Sequence, residues 1–254
     1  MLVEETMPRI THLAYYPIKG LQGIPLDAVS LAADRGFPLD RHFAIADDRT
    51  PFDPNDPQHL RKQQLVVQMK YERLAELGTQ FDPDTFELTL SHKGSSEIFS
   101  LGTETGKSGC EQYLTEFMGD LIQGNARLIS GPGISYTDLS TPCISLINLN
   151  SVRALEQALG YNVDHRRFRA NIYFDDMQAW EEERWLNKTL TINGLELLAY
   201  KITDRCAAIN VDPKTAIRDK TLQGLKREFG HLNMGVYAKV VRGGKLTIGN
   251  SMTL

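Results

Sequence analysis

Two alternating runs, Thr189 to Ile192 and Leu195 to Ile202, flank the dipeptide Asn193-Gly194. Asparagine and glycine both tolerate the positive φ that a type I′ turn needs at its central positions, so this segment is set to fold back as a hairpin. The same grammar recurs along the chain. Val236 to Val241 and Lys245 to Ile248 flank Arg242-Gly243-Gly244, and Arg9 to Tyr16 reads as a strand ending at Pro17. Ala28 to Leu31, His42 to Ala46, Leu65 to Met69, Phe86 to Leu90 and Glu97 to Leu101 read as further short strands. Strands this short, punctuated by turns, favour a closed or barrel-like sheet over a βαβ fold.

Four segments have helical character. Tyr71 to Leu77 is a short one stopped by Gly78, and Cys110 to Ile122 carries apolar residues at Tyr113, Leu114, Phe117, Met118 and Leu121. Leu149 to Leu159 has Asn150 or Ser151 as cap and Gly160 as stop, and a last helix runs from about Leu222 to Phe229. The expected class is therefore mainly β with a few helices (α+β). Trp180 and Trp185 bracket an acidic run, and packing explains two large apolar bodies better than catalysis does.

The 254 residues are 41% hydrophobic and 24% charged, enough apolar material to close a core without staples. A formal net charge of -4 argues against general nucleic-acid binding, which needs a basic surface, but leaves room for a local basic pocket. Three scattered cysteines, Cys110, Cys143 and Cys206, contain no CxxC pair and suit a reducing compartment. The N-terminus MLVEETMPRITHLAYY has acidic residues and no long apolar run, and no stretch approaches the ~20 apolar residues that span a bilayer. A cytoplasmic protein with no membrane partner is the expectation.

Cys206 follows Arg205 in Asp204-Arg205-Cys206-Ala207-Ala208-Ile209-Asn210-Val211-Asp212-Pro213. A thiolate is a nucleophile and a soft metal ligand, and a neighbouring guanidinium favours its charged form. A lone cysteine can equally be an inert, buried small hydrophobe. The second notable segment is His165-Arg166-Arg167-Phe168-Arg169-Ala170-Asn171-Ile172. As a strand it would put Arg167, Arg169 and Asn171 on one face with Arg166 pointing away, a surface able to read an anion and a heterocycle edge. Arg167 would then be a second ligand-facing cation or an outer partner. The plainer reading is a solvated face with ordinary salt bridges. Lys19, in the turn Ile18-Lys19-Gly20-Leu21-Gln22-Gly23, and Arg41, after Asp40, could join the same positive site, with Gly20 letting backbone approach a ligand.

Other templates fail. The chain has no GxGxxG, Walker A, GxSxG or HExxH motif, and its six histidines lack ligand spacing. A Cys–His hydrolase stays open, because its histidine can lie anywhere in a chain.

Five segments in order resemble the MOSC-domain proteins, in the subgroup with a β-rich MOSC N-terminal domain. They are Tyr16-Pro17-Ile18-Lys19-Gly20, Asp40-Arg41-His42-Phe43, Phe168-Arg169-Ala170-Asn171, Arg205-Cys206 with Val211-Asp212-Pro213, and Lys245-Leu246-Thr247-Ile248-Gly249-Asn250. The chain is similar to amidoxime-reducing components and their bacterial relatives. The resemblance implies a β-rich N-terminal domain over 1–125, a MOSC β-barrel domain over 126–254, and a molybdenum cofactor, a pterin–dithiolene phosphate holding molybdenum. It makes Cys206 the protein ligand to the metal and the catalytic residue. It gives the cofactor to Lys19, Arg41, Arg169 and Asn171, with Gly20, Arg167 and Arg205 beside them. Gly20 stands where a serine is common, Ala170 where the motif has proline and Asn210 where threonine is common.

The implied activity is a molybdenum-dependent reduction of N-hydroxylated compounds: amidoximes, hydroxylamines and N-hydroxylated bases. Electrons would come from a separate flavin or iron–sulfur donor protein, since this chain has no motif for either. A C-terminal ferredoxin-like domain and the aminotransferase-like domain of cofactor sulfurases are not expected here. The rival reading is a non-catalytic carrier of the cofactor, or of persulfide sulfur on Cys206.

Overall fold

The computed structural model describes residues 7–253, so the expectation for the extreme N-terminus falls partly outside the described residues. In chain order the first strands are β1 (Arg9–Tyr15), β2 (Ile18–Lys19), β3 (Ile24–Leu26), β4 (Ala28–Leu31) and β5 (Phe43–Ala46). A meander of β6 (Gly78–Asp82), β7 (Glu87–His92) and β8 (Ser95–Ser100) leads to helix α1 (Glu104–Met118) and β9 (Arg127–Ile129). Then come β10 (Ile144–Asn148), α2 (Leu149–Leu159), β11 (Ile172–Asp175), β12 (Thr189–Ile192), β13 (Leu195–Asp204), α3 (Thr221–Phe229), β14 (Asn233–Arg242) and β15 (Gly244–Thr247). The class is mainly β.

The main sheet runs β12-β13-β14-β10-β11-β1-β3, with β10 and β11 parallel and the other neighbours antiparallel. It curls as half a barrel, helped by register shifts in β1 and along β13 that bend the strands. Smaller ladders are β2-β5-β9, β6-β7-β8 and β15-β4. Strands β1 and β3 thus share a sheet with the C-terminal half, and β4 pairs with β15. The two halves of the chain are stitched together by hydrogen bonds on both sides of residue 125.

The β12–β13 hairpin forms as expected: Asn193 and Gly194 have φ of 48° and 82°, and Ile192 faces Leu195. Its alternation buries Leu195, Leu197 and Ala199 in the main core. The tryptophans pack as expected, Trp185 edge-on to Phe174 and Trp180 against Phe229.

Other expectations need correction. Helix α1 starts at Glu104, not Cys110, because Thr103 caps it by accepting from Gly106 N at 3.1 Å. Glycine at 106 hides the helix in the sequence, yet a Cβ there would meet the Ser100 carbonyl oxygen at 2.3 Å. Helix α1 ends at Met118, leaving Leu121 exposed. The cap of α2 is Asn148, which accepts from Asn150 N at 2.9 Å, while Ser151 is buried and donates to Glu182. Leu65 to Met69 is not a strand, although Leu65, Val66 and Val67 are buried and Val66 N donates to Ile45 O. Strand β15 leaves β14 and pairs with β4 instead. Gly243 makes that possible, since a Cβ there would sit 2.8 Å from the Leu31 carbonyl oxygen.

The largest correction concerns His165 to Ile172. His165–Phe168 is a short 3-10 helix, Arg169 is left-handed at φ 53°, and extended structure begins only at Ile172. Asp164 nucleates the turn by accepting from Arg166 N at 2.9 Å. Period-2 alternation therefore cannot assign the faces of Arg166, Arg167 and Arg169.

Candidate functional site

One open cleft, enclosing about 830 Å³ with the solvent at its mouth, is lined by Lys19, Gly20, Arg41, Arg167, Arg169, Asn171, Arg205 and Cys206. Residues spread over most of the chain meet there because β1, β10, β11, β13 and β14 are neighbours in one sheet. Within the cleft their situations differ sharply.

Tyr16 organises the floor. The Arg41 and Arg169 guanidinium carbons lie 4.2 and 4.5 Å from the centre of its ring, so each positive charge meets a π face. Arg41 also adopts the left-handed conformation, φ 51°, and its backbone N donates to Tyr16 O at 2.6 Å. Buried Asp40 accepts from Tyr16 N and holds Arg41 in a two-pronged ion pair through Nη1, while Nη2 donates to Arg169 O at 2.8 Å. Burial disfavours the Arg41 charge, but its neighbours, led by Asp40, together outweigh it and raise the pKa.

Among the described residues no carboxylate is ion-paired with Arg169, its Nη1 reaches only Gln68 Oε1, at 3.5 Å, and its Nη2 is shut from solvent with no hydrogen-bond partner. Burial, then the neighbouring Arg41 charge, pushes its pKa down to about 10. A guanidinium that lines a cleft and is short of acceptors is a ready anion receptor.

Lys19 is buried, donating to Tyr136 O at 2.6 Å and Asp138 Oδ1 at 2.8 Å. Asp138 Oδ2 takes a second ammonium, that of Lys62, at 3.0 Å. Burial would raise the Asp138 pKa, but the two lysines hold it well below the usual carboxylate range. The Lys62 ammonium also interacts with the Cys206 side chain, and Asp138 and Cys206 together outweigh burial to raise its pKa. Cys206 itself is half-buried on the cleft wall, whereas Cys110 and Cys143 are buried. Burial pushes those two thiols up, to about 12 and about 11.

The other expected residues spend their polar atoms on the protein. Arg167 donates to Asp219 Oδ2 at 2.6 Å, Asp212 Oδ2 at 2.8 Å and Ile209 O at 3.2 Å, clamping the loop that follows Cys206. Arg205 donates to Phe168 O and Met234 O, tying the Arg169 turn to β14. Asn171 joins strands: Oδ1 accepts from Ser145 N at 3.0 Å and Nδ2 donates to Ala14 O at 3.2 Å. Gly20, at φ 98°, has its missing Cβ turned toward Val66 and Val67, so its immediate effect is close backbone packing.

Tyr16, Asp40, Lys62 and Asp138 were not singled out from sequence as site residues. Tyr16 and Asp40 stand inside motifs that already carried a signal. Lys62 opens a single 3-10 turn in a polar stretch and Asp138 lies in a polar loop, and neither carried one.

Profile matches cover both halves of the chain: the MOSC N-terminal beta barrel domain over residues 7–123 and the MOSC domain over residues 140–253. The chain belongs to the MOSC-domain family. Among curated relatives, the molybdenum cofactor sulfurase of Drosophila yakuba is 28% identical over 261 residues, covering 92% of this chain and 32% of that protein. That of Drosophila pseudoobscura pseudoobscura is 36% identical over 96 residues, covering 36% of this chain and 12% of the relative. The MOSC chain thus spans at most about a third of the length of these relatives. The YuaD protein of Bacillus subtilis, a solved structure, aligns over 97% of this chain and 94% of its own at 11% identity and a TM-score of 0.48. No helix among the described residues is long and apolar enough to cross a membrane.

Proposed function

We propose that this MOSC protein binds a molybdenum cofactor in the cleft and uses it to reduce N-hydroxylated small molecules, taking electrons from a separate flavin or iron–sulfur protein. The observation that carries the reading is the unpartnered, buried Nη2 of Arg169, in a cleft that also holds Lys19, Arg41, Lys62 and the half-buried Cys206. The donor set fits the group: cations for a phosphate and a thiolate for a soft metal.

When bound, the group would supply the two-electron exchange with the oxygen on nitrogen. The chain's own residues have defined tasks. Arg169 and Lys19 receive the anionic end, and Tyr16 with Asp40 keeps Arg41 flat and charged beside them. Arg205 and Arg167 hold the loops carrying Arg169 and Cys206, so neither loop has to be ordered on binding. Cys206 is the metal ligand.

The test compares wild type with Cys206→Ser, both made in a cofactor-producing host. Wild type should carry molybdenum and turn over an amidoxime with an artificial electron donor. The variant should lose activity at least about a hundredfold, with a melting temperature within a few degrees of wild type, because serine is close in size. Full activity in the variant sinks the ligand assignment.

The sulfurase relatives favour a second reading, in which the fold is a cofactor- or persulfide-carrying module and not itself a reductase. That reading predicts molybdenum or persulfide on the protein with no turnover of any N-hydroxylated compound.

A further inference from the structure

We propose that Asp138 stands in for the anion this cleft receives: its carboxylate bridges Lys19 and Lys62 in the free protein and hands both lysines to the phosphate group of an incoming ligand. The inference rests on the cofactor reading for whose phosphate that is. A phosphate monoester is the chemical class it requires.

Geometry puts the carboxylate in the anion's place. Asp138 Oδ1 lies 2.8 Å from Lys19 Nζ and Oδ2 lies 3.0 Å from Lys62 Nζ, the spacing at which two phosphate oxygens would meet two ammonium groups. The partners differ in their freedom to leave. The Lys19 side chain is 8% exposed and Lys62 24%, but Asp138 is 37% exposed. A lysine as buried as Lys19 needs an anion beside it, whereas Asp138 can turn into water and be solvated there.

The loop allows the turn without moving its backbone. Its anchors lie just before Asp138: Tyr136 N donates to Arg41 O, Tyr136 O accepts from Lys19, and Thr137 O bonds His59. The Asp138 carboxylate can therefore leave by rotation of its own side chain while Lys19 keeps its bond to Tyr136 O.

Charge balance points the same way. Among the described residues Asp40 is committed to Arg41, Asp138 is the carboxylate for Lys19 and Lys62, and Arg169, on the same cleft, is ion-paired with none. A dianion in Asp138's place would satisfy both lysines and offset the positive charge of the cleft that Arg169 also lines.

The alternative is that Asp138 is a fixed brace which aligns the lysines, and the two roles predict opposite signs. Inorganic phosphate titrated calorimetrically into wild type, Asp138→Asn and Lys62→Gln at constant ionic strength distinguishes them. A stand-in predicts about tenfold tighter phosphate binding by Asp138→Asn, because the competing charge is gone, and about tenfold weaker binding by Lys62→Gln. Asp138→Ser carries the same expectation should the asparagine variant fail to fold. Equal or weaker binding by the Asp138 variants overturns the proposal, as does absence of phosphate binding in all three proteins. The cofactor reading stands or falls separately, on molybdenum content. Tightening without molybdenum keeps the stand-in and loses the cofactor; molybdenum without tightening does the reverse.

Discussion

Arg167 and Arg169 sit two residues apart, and each lines the same cleft, yet they belong to different regions of the molecule. Arg167 is part of a clamp: Asp212, Asp219 and the Ile209 carbonyl absorb its donors, leaving only Nε unpaired. Arg169 is part of a receptor: a long contact to Gln68 and the Tyr16 ring are its company, and Nη2 has no hydrogen-bond partner among the described residues. A buried charge that the protein answers with carboxylates is structure, whereas one left without a counter-charge is held for a ligand. A related contrast separates Arg205, spent on backbone carbonyls, from Lys19, whose carboxylate is half in water.

The sharpest way to break this comparison is to remove each arginine by methionine, which keeps the length and drops the charge. Arg167→Met strands two carboxylates that are 21% and 29% exposed, and should cost roughly 3 kcal/mol. Arg169→Met should shift stability by less than about 1 kcal/mol in either direction, since it removes a charge that is poorly paired. Methionine meets the same left-handed backbone that Arg169 already tolerates. Ligand binding should follow the opposite order, with Arg169→Met losing molybdenum content and phosphate affinity. Denaturant melts and metal analysis on the two variants decide the matter. Equal destabilisation by both would erase the distinction.

Asn171 sharpens the line between the regions. Its amide lines the cleft but spans Ser145 and Ala14, so Asn171→Ala leaves a buried N–H and a carbonyl oxygen without a partner. The expected cost is about 2 kcal/mol by thermal or denaturant unfolding. A variant that melts like wild type but loses molybdenum would move Asn171 into the receptor.

How much of this the sequence disclosed depended on whether a signal was local. The β12–β13 hairpin was legible because Asn193-Gly194 sets its own turn. Most of the cleft was legible because its residues sit in short motifs, though the roles within it were not. The reading of 165–172 as a strand failed because Asp164 captures Arg166 N and winds the chain into a turn, an effect invisible to period-2 counting. The partner of β15 was hidden because a nearby hairpin competed with a distant edge, and only the packing of Gly243 on Leu31 chooses between them. Lys62 and Asp138 were hidden for a further reason. Each is an ordinary charge in a polar stretch, 76 residues from the other, and the pairing exists only in three dimensions.

The smallest expected effect tests whether acid sensitivity belongs to the cleft at all. His12 and His165 lie behind Tyr173 with ring centres 4.7 Å apart. Burial lowers the pKa of each below the ordinary 6.5, and for His165 the His12 charge adds to the lowering, against opposing pulls from Asp175 and Asp164. A histidine depressed in the folded state stays neutral while the unfolded chain takes up protons. Its contribution is therefore complete above pH 6.5 and is lost as pH falls through the folded values. Arg169, pushed down to about 10, does not change charge in that window, and the depressed carboxylates act only below their ordinary value near 3.8. Melting temperature should therefore fall between about pH 7 and about pH 5, by a few degrees for a chain of this size. His165→Phe should reduce that slope to the share left by His12 and His42, which burial also depresses, since phenylalanine keeps the edge contact to Tyr173 and removes one titrating ring. Arg169→Met should leave the slope as it is. A slope that persists undiminished in His165→Phe and vanishes in Arg169→Met would place the acid response in the receptor and undo the division drawn between the two regions.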